Sequence, residues 1–309
     1  MKRVIKIKQF LAARCILLFC CCAFAFSGQL LAQDSSATTV PLVVKKSFTR
    51  NTFEGNQIID NQTVMVPIKG TFEFDIQHRF GTWQNGFKDL FGLYAGANMR
   101  LGFSYVPIKD LQLGFGTTND KMQVDGNLKY ALIKQTKDGK IPVSVTFYGN
   151  AVMDTRAKNA SLPIVNTSDR FSYFSQLMIA RKVTEKLSVQ LAGSISYFNN
   201  IEAYTDDAGK IQPKMEHQHL AVSVSGRYKL TDGMSFIVNY DQPLTQHPMN
   251  NPHPNLSFGL DMKTSGHDFQ IFAGNYGYLL PQNNNLYNQN DYTKNQFLIG
   301  FNISRLWNF

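Results

Sequence analysis

From Thr71 to the end of the chain, apolar and aromatic residues recur at every second position, in a dozen separate runs. Phe72, Phe74, Ile76, His78 and Phe80 make the first, Met99, Leu101, Phe103 and Tyr105 the second, and Leu111, Leu113 and Phe115 the third. The last run is Phe297, Ile299, Phe301, Ile303, Trp307 and Phe309, interrupted at Arg305. Side chains alternate across a strand, so each run predicts one greasy face. The opposite face is polar or small, with Arg100, Gln123, Gln176, Gln190, Ser223 and Asn239 among its members. Twelve strands with one apolar face each can hide them by stacking two sheets, or can turn them to lipid in a closed barrel, where every backbone group pairs with a neighbouring strand.

The connections favour the barrel. Val106–Asp110, Lys134–Lys140, Val183–Lys186, Thr231–Gly233 and Thr264–His267 are short turns. Between them lie the long polar stretches Gly81–Gly96, Asp154–Asp169, Asn199–His217, Gln242–Asn255 and Tyr276–Asn295; only Thr117–Asp120 is short where a long loop is due. Short turns on one side and long loops on the other are the habit of transmembrane barrels. The sequence therefore predicts an all-β, antiparallel, up-and-down transmembrane barrel of about 12 strands, with short periplasmic turns, long outer loops and both ends of the barrel on the periplasmic side. Tyr105, Tyr130, Tyr148, Tyr173, Tyr197, Tyr228, Tyr240 and Trp307 fall near strand ends, where interfacial aromatic girdles are expected.

The segment before the strands adds an address. Residues 1–32 read as a signal peptide, with Lys2, Arg3, Lys6, Lys8 and Arg14 ahead of the apolar run Cys15 to Phe26. That run is too short for a membrane helix, which needs roughly 20 residues. All four cysteines, Cys15, Cys20, Cys21 and Cys22, lie inside it, so no disulfide is expected in an exported chain. Five of the 31 Lys and Arg residues and none of the 22 acids precede Gln33, so the formal +9 falls to near +4. That excess carries no nucleic-acid footprint. Residues 33–69 read as a periplasmic N-terminal arm or a lumen plug, and residues 70–309 as the barrel.

Three stretches carry a family likeness: Gln77-His78-Arg79-Phe80-Gly81; Phe91-Gly92-Leu93-Tyr94 with Asn98-Met99-Arg100-Leu101-Gly102; and Leu256 to Asp261 continuing through Thr264-Ser265-Gly266-His267-Asp268-Phe269-Gln270. From about Phe48 onward the chain resembles an uncharacterised β-barrel family of Bacteroidetes outer membranes, a domain of unknown function. The family's turn motif is Thr-Gly-Gly-His, and Ser265 stands at its first Gly. The resemblance implies an outer-membrane barrel and supplies no activity.

Candidate chemistry concentrates on the inward phase. Asp75, Arg79, Arg100, Asp125, Lys129, Arg227, Asp241 and Asp261 put both signs of charge in the lumen. They either set solute preference in a channel or satisfy one another and a plug. His78, on the lipid-facing phase, invites comparison with the twelve-stranded outer-membrane phospholipase, but no serine shares its surface on the neighbouring strands. His217, His219, His247 and His253 fall at strand tops and outer loops without the carboxylate or cysteine spacing of a metal site. No catalytic residue, metal or cofactor is expected. The leading expectation is a narrow porin-like channel for small polar solutes, with an unobstructed lumen. The alternatives are a plugged, non-conducting barrel that docks a partner and, third, a lipid-modifying enzyme. The expected partners are the lipid bilayer and the barrel-assembly machinery, which reads the terminal aromatic strand.

Overall fold

Period-two alternation becomes twelve strands in the computed structural model of the chain, which describes residues 47–158 and 164–309. The expected signal segment, its four cysteines and residues 33–46 of the arm lie outside the described residues. The strands are β1 (Thr71–Thr82), β2 (Asn98–Ile108), β3 (Leu111–Thr118), β4 (Gln123–Ile133), β5 (Ser144–Asp154), β6 (Phe171–Lys182), β7 (Leu187–Phe198), β8 (Gln218–Thr231), β9 (Met234–Pro243), β10 (Asn255–Lys263), β11 (His267–Gly274) and β12 (Leu298–Asn308). Each pairs antiparallel with the next, and β12 pairs with β1, closing the barrel. In the closing seam Ile303 lies opposite Ile76 and Trp307 opposite Phe72. Among the described residues, no helix is long and apolar enough to cross a membrane; the crossing is made by strands.

The expected apolar phase faces outward. Phe103, Tyr105, Leu113, Phe115, Leu177 and Ile271 are exposed on the barrel's surface, and outward aromatic rings touch across strands, Phe74 to Phe103 at 5.0 Å and Phe72 to Trp307 at 5.7 Å. Lipid tails are the only solvent that such a belt can face without cost. The turns at one end span 109–110, 134–143, 183–186, 232–233 and 264–266; at the other end the loops span 83–97, 155–170, 199–217, 244–254 and 275–297, with the short 119–122 among them. Both ends of the barrel, Thr71 and Asn308, sit on the short-turn side and pair with each other.

The interior departs from the expected polar face. Phe174, Met178, Ile237 and Phe272 point inward with Tyr148 and pack with Phe53, Ile58, Ile59 and Val64 of the preceding segment and with Tyr276. Tyr148 was expected in the interfacial girdle; it is instead buried inside, its ring 6.2 Å from Phe174. Its neighbours in register, Lys129 and Gln176, share that inward phase. The barrel thus has an apolar core in its bore.

Candidate functional site

That core is built around the segment preceding β1. It enters at the short-turn end, where the Thr49 N–H donates to the Gln135 carbonyl at 2.8 Å and Phe48 bridges Thr136. It then forms a hairpin, Gln57–Ile58 against Asn61–Gln62, whose turn holds Ile59 at φ 59°. It returns to the same end at Gly70, whose N–H donates to the Val106 carbonyl. Gly55 passes so close to β11 that a Cβ there would lie 2.2 Å from Asp268 Oδ2, so the path admits no larger residue without a shift.

A hairpin of so few residues cannot satisfy its own backbone, and the wall does it instead. Gln190 donates to the Gln62 carbonyl at 2.8 Å and accepts from the Val64 N–H at 3.0 Å, in the manner of a neighbouring strand. On the other side Gln270 donates to the Gln57 carbonyl and accepts from the Ile59 N–H, while Asn302 donates to the Ile59 carbonyl at 2.6 Å. Thr146 donates to the Val64 carbonyl at 2.9 Å. Asn61 donates to Asn239 and Asp241 and accepts from Gln176. Inward-pointing side chains of six strands (β5, β6, β7, β9, β11 and β12) thus grip it from around the bore.

All eight inward candidates are placed inside the barrel, and the structure divides them between wall and hairpin. Arg100 holds Asp125 through two bonds of 2.9 and 2.8 Å and Asp75 at 3.2 Å, a triad of wall residues. Arg79, fully buried, lies 3.7 Å from Asp60 at the hairpin tip and 4.6 Å over the Phe272 ring, and donates to Asn302 at 2.9 Å. Lys129 donates to the Asn56 carbonyl at 2.9 Å. Arg227 pairs with Glu54 and donates to the Asn51 carbonyl, and Lys263 reaches Glu54 at 3.1 Å. Asp241 accepts from Asn61 at 2.6 Å, and Asp261 from Gln270 at 3.4 Å. Buried charges of both signs are therefore paired or hydrogen-bonded, as burial requires.

The other end is closed by the 275–297 loop. Its helix α1 (Pro281–Tyr287), with Pro at the first turn, buries Gln282, Asn283, Asn284, Asn285 and Leu286 in the mouth. Gln282 exchanges two amide hydrogen bonds with Asn150, Asn283 donates to Gln123 at 2.8 Å, and Asn284 donates to Asp60 of the hairpin tip at 2.6 Å. Hairpin and helix thus meet inside the barrel. A cavity of about 40 Å³ remains between them and one of about 20 Å³ between the hairpin and the wall, room for a water or two. The unobstructed lumen expected of an open channel is not what the described residues form: the bore is filled, because one hairpin and one short helix occupy the width that twelve strands enclose. Wider vestibules lie outside this constriction, of about 640 Å³ at the loop end and about 720 Å³ at the turn end.

The histidines divide. His219 Nδ1 and His247 Nε2 lie 2.9 Å apart, and the Glu216 N–H donates to His247 Nδ1, which leaves the His247 proton on Nε2, facing His219. His217 turns away to the Phe198 carbonyl, and the His253 N–H donates to the Asn288 carbonyl. Among the described residues no three His, Cys, Asp or Glu side chains gather where an ion could be held. His78 stacks on Phe301 at 4.9 Å on the outer surface.

Reading by alternation missed Glu54, Asp60 and Glu73. Glu73 lies on the inward phase of β1 beside Asp75 and is buried, accepting from Asn56 and Gln112. The signal that could have found the hairpin is the inward Phe174, Met178, Ile237 and Phe272, which break the polar phase of three strands and need an apolar partner inside.

No curated protein sequence matches the chain. Among solved structures it is similar to a NanC porin (12% identity over 77% of this chain and 99% of that one, TM-score 0.45). It is also similar to the COG4313 outer membrane channel from Pseudomonas putida F1 (12%, 79% and 97%, TM-score 0.47) and to the P. putida toluene transporter TodX (8%, 80% and 91%, TM-score 0.39). The profile of a family described as a membrane bound beta barrel domain (DUF5777) matches residues 53–307, from Phe53 in the hairpin segment almost to the end of β12. The closed barrel, its outward apolar belt and that match over most of its length place the chain in this family of membrane bound β-barrel domains.

Proposed function

We propose that this protein is an outer-membrane barrel for small polar solutes that is closed at rest by its own N-terminal hairpin and conducts only when the hairpin withdraws. The carrying observation is the hairpin's fit: wall side chains from around the bore satisfy its backbone, and Asp60 at its tip neutralises the buried Arg79. Removing one member of such a buried pair costs roughly 3–5 kcal/mol, which holds the closed state without further help. Water entering behind a departing hairpin rehydrates Arg79 and lowers that cost, so opening is a switch between a dry and a wet bore.

In this reading residues 1–32 direct export, residues 33–69 form the arm with its plug, and residues 70–309 form the barrel, whose terminal aromatic strand is read by the assembly machinery. The short-turn end faces the periplasm. Once the hairpin leaves, Asp75, Arg79, Arg100, Asp125, Lys129, Arg227, Asp241 and Asp261 line the path and set its ion preference. Efflux of a small polar solute from proteoliposomes tests the reading. A chain starting at Gln33 is expected to be slow and one starting at Lys69 fast. The filled bore also favours a second reading, a barrel that never conducts and whose hairpin is structural; tight vesicles from both folded chains would establish it.

A further inference from the structure

The loop-end vestibule, of about 640 Å³, has the size of a small-molecule site, and not all of its cations are in contact with an acceptor. Its cations are Lys121, Arg156, Arg170 and Lys214; its acids are Asp154, Asp169 and Glu202. Three of the cations already have acceptors. Arg156 is held by Asp154 at 2.6 Å, Arg170 donates to the carbonyls of Asp154 and Arg156 at 2.8 and 2.7 Å, and Lys214 lies 3.6 Å from Glu202. Lys121 has no carboxylate within 4.0 Å among the described residues. Its ammonium is instead clamped over the ring of Tyr287 at 3.8 Å and 5.4 Å from that of Tyr278, a setting that holds a cation while leaving its donors free. Burial pushes the Lys121 ammonium below the ordinary lysine value, opposed by the charge of the neighbouring Asp120. The rest of the lining is mixed: Phe171, Phe198 and Ile201 supply apolar wall, and the amides of Gln123, Asn200 and Asn283 supply hydrogen bonds.

We infer that this vestibule is a recognition site for small monocarboxylate solutes, with Lys121 binding the carboxylate. The inference rests on the plugged-channel reading for its purpose, since the site lies on the solute's way in, but not for its measurement. One carboxylate gives the Lys121 ammonium the contacting acceptor that it lacks, while neutral and cationic solutes of the same size leave it without a charged partner in contact. The floor of the site is α1, and α1 touches the plug. Asn283 and Tyr287 line the cavity, while Asn284, between them, donates to Asp60 of the hairpin tip at 2.6 Å. A solute drawn onto Tyr287 and Asn283 therefore acts on the short helix that caps the hairpin.

The test is calorimetric titration of the refolded chain, starting at Gln33 in detergent, with hexanoate and gluconate and with their neutral amides. Binding of at least one carboxylate, with its amide at least about tenfold weaker, is expected, because a hydrogen-bonded charge pair is lost. Lys121→Gln, with folding checked by β-sheet circular dichroism, is expected to bring the carboxylate down to the affinity of its amide. Carboxylate binding is also expected to slow amide exchange across residues 282–287. Silence with both carboxylates, equal affinity for acid and amide, or undiminished binding by Lys121→Gln overturns the assignment. Binding is read without any current, so a barrel that binds carboxylate but never conducts would contradict the channel reading alone.

Discussion

At the level of single residues, the account turns on Asp60 and Arg79. Arg79 stands on the inward phase of β1, and its place in the lumen follows from strand alternation. Its partner does not, because Asp60 comes from a separate hairpin and the two meet only once the barrel closes at β12. The same holds for Arg227, legible as an inward cation, and Glu54, legible only as one acid in an arm. Asp60→Asn keeps an acceptor for Asn284 but removes the charge opposite Arg79, leaving a fully buried guanidinium unpaired. The expected result is a hairpin loosened by roughly 3–5 kcal/mol in a barrel that still folds. Hydrogen exchange at Ile59 and Val64 reads this directly, and their protection should fall while that of β2 to β7 is kept. Unchanged protection at both amides would mean that the ion pair does not hold the hairpin.

At the level of elements, strands were legible and the two short pieces that fill them were not. Strands announced themselves because one face meets lipid and the other the interior, which forces a period of two on the sequence. The hairpin is only Gln57–Ile58 and Asn61–Gln62, too short to show any period, and its backbone partners are side chains on strands far away in sequence. The helix Pro281-Gln-Asn-Asn-Asn-Leu-Tyr is polar on nearly every side because it is buried against polar groups, so it read as part of a long polar loop. Gln190→Ala tests how the wall holds the hairpin. It leaves the Val64 N–H and the Gln62 carbonyl without partners, at a cost of roughly 1–3 kcal/mol, and exchange at Val64 should speed up accordingly. A third element, the 244–254 loop, is tied down through His247, whose Nδ1 accepts from the Glu216 N–H. Burial holds the His247 imidazole below the ordinary value of 6.5, opposed by the Glu216 charge. The folded loop therefore resists the proton: docking is intact above pH 6.5 and weakens as pH falls through the lowered value. Exchange in this loop, corrected for its intrinsic rate, should accelerate between pH 7 and pH 5, and His247→Gln should remove that dependence. A loop equally protected at both pH values would show that His247 does not couple docking to protonation.

For the whole molecule, closure explains why the parts need one another. A barrel removes exposed edges and satisfies the strand backbones, but twelve strands enclose a bore too wide for this chain's wall side chains to fill by themselves. The inward Phe174, Met178, Ile237 and Phe272 are the trace of the solution, an apolar core completed by Phe53, Ile58, Ile59 and Val64. The barrel, its strand number and its long-short loop alternation could be read from residues 70–309 alone. The place of residues 47–69 in the bore could not, because it rests on contacts between a short segment and many separate strands, Ile59 to Gln270 and Val64 to Gln190 among them. The family match likewise begins at Phe53, inside the hairpin segment.

The most direct test of a self-plugged channel is single-channel conductance in planar bilayers. The chain from Gln33 and the chain from Lys69 are compared after folding is confirmed for both. The account predicts a quiet full-length barrel with rare openings, more of them in Asp60→Asn, and steady current with a fixed ion preference from the shortened chain. Equal steady current from both chains would mean that the hairpin does not close the bore, and silence from both would mean that this barrel is not a channel.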